Sequence, residues 1–253
     1  MTIKRRITRL FFALTLVFVP QVSMAESALV AVATNFSEVI DVLKVEFEKS
    51  SEHSITIVTG STGKLYAQIV NGAPFDVFLA ADQIRPERLV ADGQTLNDPI
   101  TYATGQLALW SIDAGRIGDN GLQALTEPYR RLAIANPQLA PYGVAAKEAL
   151  SALGLLEKLQ DRIVMGENIG QTHALVASGN AELGIVALAY AISPRNVSAG
   201  SYWGIPPELY TPIRQDGVLT LHAKGNEAAT AFMTYLQSDP AKAIIRAYGY
   251  EVE

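Results

Sequence analysis

The chain contains no cysteine. That absence excludes disulfides, thiolate metal sites and cysteine nucleophiles together. Histidine is scarce as well. His53, His173 and His222 lie far apart and fall in no H-x-x-x-H or related ligand spacing, so each reads as surface or core filler. No G-x-S-x-G nucleophile elbow is present. Asp76 and Asp82 bracket an apolar run and read as a strand-start residue and a turn cap, not as an acid pair. After the N-terminus no apolar run is long enough to span a bilayer.

Positive charge is also in short supply. Lys4, Arg5, Arg6 and Arg9 precede the apolar stretch "LFFALTLVFV", and Ser23 and Ala25 stand at the −3 and −1 positions of a cleavage site. This pattern is that of a secretory signal peptide over residues 1–25, and no cysteine follows it to carry a lipid. Its removal leaves 16 basic residues against 25 acidic, a net charge of −9. Such a surface argues against nucleic acid or an anionic membrane as partner. The expectation is a periplasmic protein whose remaining 228 residues fold without disulfides.

What is present is an alternation of apolar runs and helical periods. "SALVAVA" reads as a buried parallel strand. Phe36, Val39, Ile40, Leu43 and Phe47 then mark one face of a helix. "SITIVTG", "LYAQIVNG" and "FDVFLAAD" continue the β-α-β-α-β order. That order predicts an α/β fold with a parallel sheet. A second set follows: "GQLALWS", "RLAIANP", the helix "YGVAAKEALSAL", "RIVMG", the helix "GQTHALVASGN" and the strand "LGIVALA". Residues 193–217 are rich in Pro, Gly and Ser and read as irregular or edge structure. "NVS" at 196–198 is taken as loop sequence, and Tyr202, Trp203 and Tyr210 as cover for a lobe edge or the hinge. "VLTLHA" resumes a strand before two closing helices.

Ligands of open α/β sheets bind beyond the carboxyl ends of strands, where helices begin. Four such turns stand out: Ala33-Thr34-Asn35, Gly60-Ser61-Thr62-Gly63, Pro141-Tyr142-Gly143 and Glu167-Asn168-Ile169-Gly170. The second resembles a phosphate loop but lacks the required pattern, because Val58 stands where glycine is needed and Leu65 follows Lys64. Each turn alone is explained by helix capping. Jointly, four helix ends carrying roughly half a positive charge each would oppose about two negative charges. A small dianion fits. Lys64 reads as reaching solvent.

The blocks "AVATNFSEVI", "GSTGKLYAQIVNGAPFDVFLAAD", "ANPQLAPYGVAAKEAL" and "ENIGQTHALVASGNAELGIVALA" resemble, in this order, the molybdate-binding periplasmic proteins of ABC transporters. The resemblance implies a type II periplasmic binding protein fold, two α/β lobes with parallel-rich sheets joined by two crossover strands. Lobe 1 is expected over residues 26–108 and 215–253, and lobe 2 over 109–214, with crossings near Gln106–Trp110 and Thr211–Arg214. It implies a monomer that takes molybdate or tungstate and delivers it to a membrane permease, with no cofactor and no catalytic residue. Oxyanion contacts carry over to Thr34, Asn35, Ser61, Thr62, Tyr142 and Ile169, the last through its backbone N–H. Some relatives have a tyrosine where this chain has Ala187, and Tyr142 is expected to supply that hydroxyl. The alternatives are a receptor for sulfate or another oxyanion, or an enzyme on the same bilobal fold.

Overall fold

The computed structural model describes residues 25–193 and 200–253; all but the last residue of the expected leader 1–25, and the "NVS" triplet, lie outside the described residues. The chain begins β1 (Ser27–Ala33), α1 (Ser37–Ser50), β2 (Ser54–Gly60), α2 (Thr62–Val70), β3 (Val77–Leu79), α3 (Ile84–Ala91) and β4 (Ile100–Gly105). It continues β5 (Leu107–Ser111), α4 (Gly121–Thr126), β6 (Leu132–Ala135), α5 (Pro141–Ala152), α6 (Leu156–Leu159), β7 (Ile163–Gly166), α7 (Ile169–Ala177), β8 (Leu183–Ala187), α8 (Leu188–Ile192) and β9 (Ser201–Gly204). It closes with β10 (Ile213–Leu219), α9 (Glu227–Leu236) and α10 (Asp239–Ala247).

Two mixed sheets result, in the orders β2-β1-β3-β10-β4 and β7-β6-β8-β5-β9. Each keeps three parallel strands: β1 runs with β2 and β3, and β6 with β7 and β8. The antiparallel members are β10 against β3 and β4, and β5 against β8 and β9. The chain changes sheet at Gln106 and again between Gly204 and Ile213. The first sheet packs α1, α9 and α10 around Phe36, Leu43, Phe47 and Phe232. The second packs α5 around Leu109, Ile134, Tyr142 and Ile185.

Two elements depart from the sequence reading. The strand expected through "LGIVALA" stops at Ala187, and Leu188 already opens α8. The strand expected at "VLTLHA" begins five residues earlier and ends at Leu219. Its first half, "IRQDG", carries polar residues that pattern reading sends to a loop. They are buried because they are bonded: Thr101 Oγ1 donates to Asp216 Oδ1 at 2.7 Å, and Gln215 is fully buried in a network of its own. A register shift between Gln215 and Asp216 marks a bulge in this strand. Bulges re-aim side chains, and this one lies where Gln215 meets the region between the lobes.

Candidate functional site

Beyond the ends of β1, β2, β3, β6 and β7 the two lobes face one another across a small cavity of about 190 Å³, its mouth included. Its walls are Ala33, Thr34, Asn35, Gly60, Ser61, Thr62, Ala81, Ala140, Pro141, Tyr142, Asn168 and Ile169. All six residues singled out in the sequence meet here. Tyr142 is the one ionisable side chain of the wall, which contains no carboxylate, ammonium or guanidinium. Burial pushes the Tyr142 hydroxyl pKa well above the ordinary tyrosine range, so at neutral pH it is a proton-bearing donor. Cavities for organic ligands run to about 300–1,000 Å³. The free interior of this one is about 10 Å³, far below that range and too small for an organic ligand.

Each turn contributes differently. Ser61 stands at the start of α2 but makes no capping bond with its side chain. Its Oγ is buried and has no hydrogen-bond partner. Thr62 Oγ1 accepts from the Ala81 N–H at 3.1 Å, which leaves the Thr62 hydroxyl proton to be donated elsewhere. Thr34 Oγ1 donates to the Gly60 carbonyl at 2.8 Å, so its hydroxyl is committed within the wall. At α7 the capping reading holds: Asn168 accepts from the Gln171 N–H. Ile169 follows as the first helical residue, and the N–H groups there have no intrahelical acceptor.

Behind the wall lies a buried network that sequence reasoning missed. Asn35 Nδ2 donates to Gln215 Oε1 at 2.8 Å and to Tyr250 Oη at 3.2 Å. Tyr250 in turn donates to the Asn35 carbonyl at 2.7 Å. Gln215 Nε2 donates to Tyr142 Oη at 3.2 Å. The Tyr102 hydroxyl lies 2.9 Å from the Ala80 carbonyl and 3.1 Å from Gln215 Oε1. The Asn35 amide is therefore a brace, not an obvious ligand donor. A Cβ on Gly105 would lie 2.0 Å from Tyr142 Oη, so glycine is what lets this tyrosine reach between the lobes. Ala187 is buried and does not line the cavity, whereas Tyr142 does. Tyr210 bears on the hinge, its hydroxyl oxygen accepting from the Leu107 N–H at 3.1 Å.

Across the cleft mouth the lobes touch. The Gly63 N–H donates to the Leu139 carbonyl at 2.9 Å, and Lys64 Nζ pairs with Glu167 at 2.6 Å. Lys64 thus reaches solvent, half exposed, and also meets an acidic partner on the other lobe. A larger groove of about 1040 Å³ opens beside the cavity, between α3 and α5. Its polar groups are largely answered: Arg85 pairs with Asp82, Arg214 with Glu253, and Glu148 accepts from the Thr211 N–H. Of these two spaces, the small cavity is the one with a buried hydroxyl that has no partner, that of Ser61.

Two α/β lobes closing a donor-lined cavity between their strand ends define a periplasmic binding protein, a class that captures small solutes by closing on them. Residues 28–251 match the family described as bacterial extracellular solute-binding protein. The chain is 42% identical to the molybdate-binding protein ModA of Azotobacter vinelandii over 98% of each chain, and 40% identical to that of Rhodobacter capsulatus over 90% of each. The solved Azotobacter vinelandii periplasmic molybdate-binding protein superposes with a TM-score of 0.85 at 43% identity, covering 89% of this chain and 99% of that one. The chain belongs to the bacterial extracellular solute-binding protein family.

Proposed function

We propose that this protein captures molybdate, and tungstate with little discrimination, and delivers it to the permease of an ABC transporter. The single observation that carries the reading is the buried, unpartnered Ser61 Oγ in the wall of a cavity free of charged side chains. The names of the relatives agree with it. The oxyanion contacts are assigned to Asn35, Ser61, Thr62 and Ile169 at the helix starts and to the Tyr142 hydroxyl, with Thr34 bordering them. The export leader over residues 1–25 directs the protein to the periplasm, where it acts as a monomer without cofactor or catalytic step. The lobes that close are 26–108 with 215–253, and 109–214; the change of sheet at Gln106 and between Gly204 and Ile213 supports this division to within a few residues.

The chemistry of the wall sets the selectivity. At neutral pH molybdate and sulfate are fully ionised, whereas phosphate keeps a proton that needs an acceptor. A donor-lined cavity leaves that proton unpaired, at a cost of about 1–3 kcal/mol. Sulfate has the same charge and shape but shorter bonds, so donors spaced for the larger tetrahedron cannot all reach it. Thermal unfolding with molybdate, tungstate, sulfate and phosphate tests this. A ligand at a thousand times its dissociation constant adds about 4 kcal/mol, a rise of roughly 8–16 °C for a chain of this size. The expected result is a rise with molybdate and tungstate alone. A comparable rise with sulfate changes the substrate, and no rise with any oxyanion reduces the four turns to caps.

A further inference from the structure

Three of the peptide groups that border the cavity share one feature: a hydroxyl donates into the carbonyl on the far side. Tyr190 Oη donates to the Thr34 carbonyl at 2.6 Å, and the N–H of the same peptide belongs to Asn35. Thr34 Oγ1 donates to the Gly60 carbonyl, whose peptide carries the Ser61 N–H. Tyr102 Oη donates toward the Ala80 carbonyl, and the Ala81 N–H of that peptide donates to Thr62 Oγ1. In a planar trans peptide the C=O and N–H point in opposite directions. Pinning the carbonyl from behind therefore aims the N–H forward. Of these three pins, Thr34 and Tyr102 lie with the sheet they serve. Tyr190 alone crosses from the other lobe, since it follows β8 on α8.

Tyr190 is also rigidly mounted. Its ring stacks on His173 at 4.9 Å, and His173 stacks on the buried Trp110 at 4.5 Å. Burial lowers the His173 pKa and keeps this middle ring neutral. The hydroxyl also lies 3.1 Å from Ser37 Oγ. At Gly170, beside Ile169, a Cβ would come within 2.6 Å of Thr34 Cγ2 and 3.2 Å of Tyr190 Oη. The seam is tight, and Asn35 and Ile169 of the cavity wall lie next to it in sequence.

We infer that Tyr190 is a positioning residue for anion binding: the Thr34 carbonyl already accepts from the Ser37 N–H within its own lobe, and on lobe closure the Tyr190 hydroxyl adds a second bond to it and fixes the Asn35 N–H on the oxyanion, so that closure and donor locking are one event. This rests on the oxyanion reading above. Its consequence is kinetic. Encounter with the open cleft does not need the contact, but retention does, and differences between related complexes fall mostly in the dissociation rate.

The test compares Tyr190→Phe with Ser193→Ala. Ser193 Oγ donates to Glu38 across the same seam, into a side chain instead of a cavity peptide. Affinity for sodium molybdate is measured by titration calorimetry and release by loss of labelled molybdate under a chase. Tyr190→Phe is expected to raise Kd and the release rate together by about five- to thirtyfold, with association changed less than about twofold. Ser193→Ala is expected to stay within about threefold. Urea unfolding of both variants without molybdate checks that the ring stack persists. Unchanged release in a folded Tyr190→Phe protein overturns the inference, as does equal acceleration in Ser193→Ala, which would make the seam a mere closure contact. If the wild-type chain takes up no oxyanion, it is the functional reading that falls, and this inference with it.

Discussion

At the scale of single residues, Ser61 and Gly105 separate binding from folding most cleanly. Ser61 Oγ is buried without a partner and caps nothing. A hydrogen bond to a charged group contributes about 1.5–3 kcal/mol. Ser61→Ala should therefore weaken molybdate binding about ten- to a hundredfold while leaving the melting temperature of the molybdate-free protein level or slightly higher. Calorimetric titration and a thermal melt check the two halves; lost stability with intact affinity would return Ser61 to the role of a cap. Gly105 is a steric case. A methyl group there would meet the Tyr142 hydroxyl at 2.0 Å and Gln215 Nε2 at 2.6 Å. Gly105→Ala should displace Tyr142 and cost more than about tenfold in affinity together with about 1–3 kcal/mol of stability. Adding Tyr142→Phe removes the clashing oxygen, so the double variant should regain part of that stability in urea unfolding, a coupling that distant sites do not show.

At the scale of elements, what could be read from sequence was what is local. The face of Phe36, Val39, Ile40, Leu43 and Phe47 became α1, and its Val39, Ile40, Leu43 and Phe47 are buried. The four strand-to-helix turns could be read because each joins a strand signal to a helix signal within a few residues, and the six candidates there line one cavity. The brace behind them could not be read so. Gln215 lies 180 residues from Asn35, and Tyr250 lies 215 from it. Their strand and terminus carry no motif, and "IRQDG" is polar for a reason visible only once its partners are in place. Lys64 does reach solvent, as read, but its ion pair was not legible, since its partner Glu167 comes from another turn. Both members of that pair are about half exposed, and exposed pairs contribute only about 0–1 kcal/mol. Lys64→Met should thus raise the molybdate Kd by less than about fivefold, and the difference from wild type should shrink at about 1 M salt. A large, salt-insensitive loss would instead make Lys64 a ligand.

At the scale of the whole molecule, four buried tyrosine hydroxyls, those of Tyr102, Tyr142, Tyr190 and Tyr250, lie at or behind the junction of the lobes. Burial raises the pKa of Tyr102 and Tyr250 well above the ordinary value, raises that of Tyr142 strongly, and pushes Tyr190 up to about 12. In the unfolded chain these groups titrate near about 10. Above that pH the unfolded state binds fewer protons than the folded one, so the slope of stability with pH is negative. Stability from these groups is complete below about pH 10 and is lost as pH climbs through the raised values. His173 sets the opposite edge: burial lowers its pKa, so its contribution is complete above about 6.5 and declines as pH falls. The melting temperature should be flattest between about pH 7 and 9.5 and fall steeply beyond about pH 10. Tyr142→Phe should make that alkaline fall shallower, because one buried hydroxyl no longer resists ionisation. Molybdate affinity should stay level across the same plateau, since the donor proton of Tyr142 is retained wherever the fold is. Melts and titrations from about pH 6 to 11 decide it: an affinity that drops within the plateau would mean that a group outside these tyrosines holds the ion.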